Sequence, residues 1–230
     1  MDDAVAETFT RFTLSAIAPV PWKNGGGTTR EIACWPPQAG MEAFDWRISV
    51  ACIDRDGAFS SFPGVDRVIT LLEGNGVILH TRTASGHENQ DYFGGEDMAD
   101  HRATSHALTQ RLVPHAFDGA APIHGELVDG ACEDLNIMSR RDRIQTSVGV
   151  THQADRLPAA SAGMLLAVTS AWTLQDGAGA PHLLAPGEGI WWSQHTHAWS
   201  VSPDAAASQA ALVTVTMHDI RAARAPGGAA

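Results

Sequence analysis

The clearest alternation in the chain begins at residue 44. FDWRISVACI places Phe44, Trp46, Ile48, Val50 and Cys52 on one face of an extended segment, with Arg47 and Ser49 on the other, the two-residue period of a β-strand. FTRFTLSAI (9–17) and TTREIACW (28–35) alternate in the same way. Thr28 and Glu31 have the spacing of a helix capping box, but Pro36 and Pro37 follow too soon for a helix, so strand is the reading. DRVITLLEGNGVILH (66–80) reads as strand, tight glycine turn, strand, and predicts a hairpin.

Residues 81–110 differ in kind. They are rich in His, Asp, Glu, Ser and Gly without an apolar period, and predict a long hydrophilic loop inserted into the first half. Order returns at QRLVPHAFDG (110–119) and in IHGELVDGACEDLNIMSRR (123–141), where Asp134, Asn136, Met138 and Arg140 share a face. RLPAASAG (156–163) is the best internal joint. Beyond it, GMLLAVTSAWTLQDG, APGEGIWW, THAWSVSP and ALVTVTMHDI supply further short strands, with turns at the spacing of an all-β barrel or sandwich. Residues 204–210 read as a loop or helical turn, 1–8 as a frayed start and 221–230 as a disordered tail. Long helices are scarce. The economical architecture is two related β-barrels, over residues 9–155 and 163–220.

Composition narrows the function. A formal charge of −11 over 230 residues argues against nucleic-acid binding, which needs a basic surface. Cys34, Cys52 and Cys132 form no CxxC and are odd in number, the usage of a reduced compartment, and each reads as a buried apolar residue. The acidic N-terminus lacks the apolar core of a signal peptide, and no run reaches the roughly 18 apolar residues of a membrane span. A soluble cytoplasmic protein, without membrane or nucleic-acid partners, is expected.

The densest polar chemistry lies in PWKNGGGTTREIACW (21–35). Gly25, Gly26 and Gly27 follow Lys23 and Asn24, so the backbone can turn sharply or approach a ligand there. The Walker spacing is absent, because the lysine precedes the glycines. This loop is either a polar binding loop or a plain tight turn. Arginine binds carboxylate with a planar fork and lysine adds a point charge, so Lys23, Arg30, Arg47 and Arg67 are candidates for an anion. Asn24 and Asn136 would add directional hydrogen bonds, and Trp22 or Trp46 an apolar wall. Against this, the arginines could pair with Glu31, Asp45, Asp66 or Asp134 and only staple the fold.

PWKNGGGTTREI, FDWRISVACI, FSSFPGVDRVITLLEGNGVIL, PHAFDG and DLNIMSRR, in that order, resemble the HutD/Ves family of the cupin superfamily. The resemblance is strong over residues 10–145 and weaker beyond, where APGEGIWWSQHTHAW resembles the second cupin motif. It implies a bicupin, two jelly-roll barrels in one chain, and a link with histidine utilisation as an accessory or regulatory factor binding a small metabolite. The family has no established catalytic activity. The chain departs from the family pattern in the hydrophilic insert around 83–106.

Metal chemistry is weakly represented. Asp66-Arg67 follows Pro63-Gly64 with no HxH. His195 and His197 have the i, i+2 spacing that puts two imidazoles on one strand face, with only Glu188 and His182 as helpers, and no cofactor is expected. The remaining histidines are scattered and read as surface or satisfied-core residues. No GxSxG elbow is present, while Glu31, Glu133 and Asp134 would serve acid–base chemistry only if they converged.

The expected function is therefore binding of a small anionic metabolite (urocanate, formate or a formylated glutamate) by Lys23, Asn24, Gly25, Gly26, Arg30, Arg47, Arg67 and Asn136. Catalysis is less expected than binding. The alternatives are a metal-dependent cupin enzyme using His195 and His197, or a protein-interaction module without a ligand. A homodimer is open to either.

Overall fold

The computed structural model describes residues 8–82, 103–204 and 209–221, and the regular structure of the described residues is almost wholly β. The first strands are β1 (Thr10–Thr13), β2 (Val20–Pro21), β3 (Gly27–Trp35), β4 (Trp46–Ile53), β5 (Gly57–Ala58), β6 (Val65–Glu73) and β7 (Val77–Arg82). Then come β8 (Ala103–Leu108), β9 (His115–Asp118), β10 (Ile123–Leu127), β11 (Cys132–Arg140), β12 (Ile144–Thr151) and β13 (Asp155–Arg156). The last are β14 (Ala160–Thr169), β15 (Trp172–Asp176), β16 (His182–Leu184), β17 (Glu188–His197), β18 (Trp199–Pro203) and β19 (Ala211–Asp219).

They form four sheets. Sheet I has the order β2-β3-β4-β11-β6-β9 and sheet II β5-β10-β7-β8. Sheet III is β1-β17-β14-β19-β12 and sheet IV β13-β18-β15-β16. The apolar clusters give the stacking, since each lies between two sheets. Ile53, Ile69, Leu71, Val77, Leu79 and Ile123 join I to II. Trp46, Ile48, Leu135 and Ile137 of sheet I meet Met164, Leu166, Val213 and Val215 of sheet III. Leu165, Ile190 and Trp192 of III meet Trp172, Leu174 and Trp199 of IV. The order of layers is II, I, III, IV.

Sheets I and III are thus covered on both faces, which is why β11 and β14 carry nearly unbroken buried runs. Such runs are what two-sided burial demands. The apolar face of FDWRISVACI turns toward sheet III, and its polar face, with Arg47 and Ser49, turns toward sheet II.

Several expectations change. The sequence from β6 to β7 is not a hairpin: β6 pairs with β11 and β9, whereas β7 pairs with β10 and β8 in the opposite sheet. The EGNG segment is a corner between layers, with Gly74 and Gly76 both at φ +92°. The loop expected over 81–110 contains β8, and residues 83–102 lie outside the described residues. No backbone ladder joins sheet I to II, or III to IV, among the described residues, so each pair is an open two-layer sandwich. The chain also crosses between pairs. β1 and β12 lie in sheet III, β1 pairing Thr10 with Trp191 and β12 pairing Val148 with Val215.

The corner predicts a glycine-specific cost. A Cβ at Gly76 would lie 2.0 Å from the Leu108 carbonyl oxygen, on top of the positive φ. Gly76→Ala should lower unfolding stability by about 2 kcal/mol or more, while Gly40→Ala, which meets nothing within 4 Å, should be close to neutral. Urea melts of the two variants check this.

Candidate functional site

The pairing of β4, β11, β6 and β9 arranges the inward face of sheet I in rows. Arg47, Met138, Arg67 and Phe117 form one row. Ser49, Asn136, Ile69 and His115 form the next, and Ala51, Asp134 and Leu71 the one after. In an antiparallel sheet, directly opposed residues point to the same side. Arg47, Arg67, Asn136 and Asp134 therefore face one interior, between sheets I and II.

Arg67 is the centre of this arrangement. It is 8 % exposed and sits among three aromatic rings, its Cζ 5.5 Å from the centroid of Phe59, 5.7 Å from Phe62 and 4.9 Å from Phe117. Its Nε and one terminal nitrogen both donate to Asn136 Oδ1 at 3.3 Å, and the other donates to the Ser60 carbonyl at 3.4 Å. No carboxylate pairs with it among the described residues. Burial, and then the nearby Arg47, lower its pKa to about 10, so the guanidinium is still charged at neutral pH.

Arg47 already has an acidic partner. Its Nε donates to Glu31 Oε2 at 2.6 Å and a terminal nitrogen donates to Ser49 Oγ at 3.3 Å. Phe117 continues outward to a stack of imidazoles, with the His106 and His115 rings 3.5 Å apart and nearly parallel. Burial and the neighbouring His106 push the His115 pKa down.

In the sequence Asp134 shares a face with Asn136, Met138 and Arg140 and reads as a partner for an arginine or a member of a carboxylate group. It is 2 % exposed, and neither carboxyl oxygen has a hydrogen-bond partner among the described residues. Burial raises its pKa to about 7. Beside it, the Cys132 thiol is pushed up to about 12, by burial first and by Asp134 next, and stays neutral. Glu31 and Asp134 share the inward face, whereas Glu133 lies on the opposite one.

The other candidates lie elsewhere. Arg30 pairs across to Val50 on the face toward sheet III, and its NH1 donates to Glu133 Oε1 at 2.9 Å. Lys23, Asn24, Gly25 and Gly26 form the turn from β2 to β3. There Asn24 Oδ1 accepts from the Gly26 amide at 3.0 Å, the Gly25 amide donates to the Trp22 carbonyl, and Gly25 has φ +69°. Gly27 pairs with Ile53, six residues along β4 from Arg47, which is roughly 20 Å. Lys23 is exposed at that far end.

In the C-terminal sheets, His195 and His197 do not share a face. A register shift against β14 and a positive φ at Gln194 break the alternation, leaving His195 exposed and His197 buried. His197 Nδ1 meets Asp176 Oδ2 at 2.6 Å and Nε2 meets Thr8 Oγ1 at 3.0 Å. Glu188 accepts from the Ala185 amide, and His182 packs edge-on against Phe9. Among the described residues no three His, Cys, Asp or Glu side chains are placed to hold a metal ion.

The raised Asp134 pKa gives a sign to test. A carboxyl titrating higher in the native state than its ordinary 3.8 binds protons more tightly when folded, so its contribution favours folding below that value and is lost as pH rises toward about 7. Wild type should therefore lose stability relative to Asp134→Asn between those limits, and the gap should be flat above. Melting temperatures of both proteins across pH 4–8 measure it, and a constant gap would contradict the raised pKa.

The HutD family model matches residues 15–212. Protein Ves of Cronobacter sakazakii is 37% identical over 177 residues, covering 76% of this chain and 82% of that protein. Among solved structures, a conserved protein of unknown function from Pseudomonas aeruginosa PAO1 superposes with a TM-score of 0.73 at 24% identity, over 92% of this chain and 99% of that one. HutD from Pseudomonas fluorescens SBW25, solved in a formate condition, gives 0.70 at 24% identity over 92% and 98%. The fold is shared with both, the family match spans most of the length, and the chain belongs to the HutD family.

Proposed function

We propose that this protein is an accessory factor of histidine utilisation that binds a small carboxylate metabolite between sheets I and II, each sheet pair being one jelly roll of a bicupin. Urocanate, formate and a formylated glutamate are the candidate ligands. The observation that carries the reading is Arg67, a buried guanidinium with no carboxylate partner among the described residues. An isolated buried charge is costly unless something compensates it. The aromatic rings and the Asn136 oxygen solvate it partly. A ligand carboxylate would complete the compensation through the fork geometry of Arg67. Arg47, held by Glu31, would add positive potential without being the primary contact.

This reading separates the eight sequence candidates into two groups. Arg67, Asn136 and Arg47 are the binding residues. Lys23, Asn24, Gly25 and Gly26 build the far turn, and Arg30 staples β3 to β11 through Glu133.

Calorimetry and thermal shift with urocanate, formate, formylglutamate and glutamate test it, because a ligand selective for the native state raises the melting temperature as its concentration passes Kd. At least one acid should give a saturable shift in wild type. Arg67→Met should lower that affinity by about 10-fold or more while remaining folded, and Arg30→Met should not change it. Equal binding by wild type and Arg67→Met would overturn the assignment.

A further inference from the structure

The unpartnered Asp134 carboxyl extends the anion reading and rests on it. Among the described residues nothing pairs with an acid there. Its row neighbours are Ala51 and Leu71, Cys132 precedes it on the same strand, and its backbone is held by the ladders to β4 and β6. A leucine would suit those surroundings better, because a buried polar group without a hydrogen bond is destabilising. The side chain is nonetheless 98 % removed from solvent, its relative exposure being 2 %, and it points into the same interior as Arg67.

The spacing is informative. Asp134 and Asn136 are two residues apart on β11, about 7 Å along the strand, and the Asn136 oxygen is where the Arg67 guanidinium rests. The inward residues that flank these two positions in their rows are Ser49 and Ile69 beside Asn136 and Ala51 and Leu71 beside Asp134, small or apolar. An acid of one or two carbons would reach one end only. A molecule with a flat or apolar spacer of four or five atoms would reach both.

We propose that the ligand is bifunctional: its carboxylate meets Arg67, and an N–H group at its other end donates to the Asp134 carboxyl. Both protonation states of that carboxyl retain an acceptor oxygen, so an N–H donor is served in either state. Of the candidate acids, formate lacks the second end, while urocanate and a formylated glutamate carry one. Asp134 is then the residue that sets which acids are retained, and Arg67 the one that holds any of them.

The test compares urocanate with furylacrylate, whose furan ring has an oxygen and neither imidazole nitrogen and so offers no N–H donor, by calorimetry on wild type, Asp134→Leu, Asp134→Asn and Arg67→Met. Wild type should bind urocanate about 10-fold or more tightly than furylacrylate. Asp134→Leu should bring urocanate down to the furylacrylate level and leave furylacrylate unchanged. Asp134→Asn, which keeps the shape and one acceptor oxygen, should retain part of the preference and serves as the folded variant if the leucine fails to fold. Equal affinity of wild type for the two acids, or a full preference in Asp134→Leu, overturns the proposal. If both acids bind equally and Arg67→Met loses both, the anion reading stands and only the role of Asp134 falls. If none of urocanate, furylacrylate, formate, formylglutamate and glutamate binds wild type, both fall together.

Discussion

Everything at the site depends on sheet I being packed against sheet III. Trp46, Ile48, Val50, Leu135 and Ile137 are each at most 1 % exposed in that layer, and burial of side chains this size is worth about 2 kcal/mol apiece. A one-residue slip of β4 or β11 would turn all of them outward. The register of sheet I is therefore held by its apolar face, and the polar face has no freedom of its own. Arg47, Arg67, Asn136 and Asp134 are brought together because their neighbours in the chain must lie against sheet III.

The interior that results is electrostatically uneven. Arg47 has Glu31, Arg30 has Glu133, and Arg143 has Asp45, so most cations near sheet I are paired. Arg67 and Asp134 remain without ionic or hydrogen-bonded carboxylate partners among the described residues. Groups of this kind reduce stability. The rings of Phe59, Phe62 and Phe117 hold Arg67 in a desolvated setting, where electrostatic interactions are stronger than in water.

The C-terminal pair has taken a different course. Trp172, Trp192 and Trp199 are each at most 1 % exposed and fill the space between sheets III and IV, with His197 stacked on Trp199 and anchored by Asp176. Thr8 and β1, from the start of the described chain, complete this half. The space between sheets III and IV is thus filled by side chains, and β1 and β12 bring segments that precede β13 in the chain into sheet III.

Much of this was legible in the sequence. Period-two alternation is a local property, so β3, β4, β6, β11 and β19 could be read from their own residues, and Arg47 and Arg67 stood out as arginines on extended segments. The ordered motifs carried the family. Sheet membership was not legible: β6 and β7 look like a hairpin because the EGNG turn is compatible with one, and only the pairing partners, β9 and β11 for one and β8 and β10 for the other, place them in different layers. The polar face of FDWRISVACI carries Arg47 as a candidate for an anion or an ion pair, and its local pattern does not say which layer it meets. It faces an interior because sheet III competes for the apolar side, an interaction more than a hundred residues away in the chain. The same reasoning separates the candidates. The Lys23–Gly26 loop and Arg67 are equally polar in sequence, and strand length puts them at opposite ends of the sheet. The i, i+2 spacing of His195 and His197 promised one face until the register shift against β14 parted them. The burial of Asp134 without a partner was a tertiary outcome, because whether a carboxyl is left alone depends on every element packed around it.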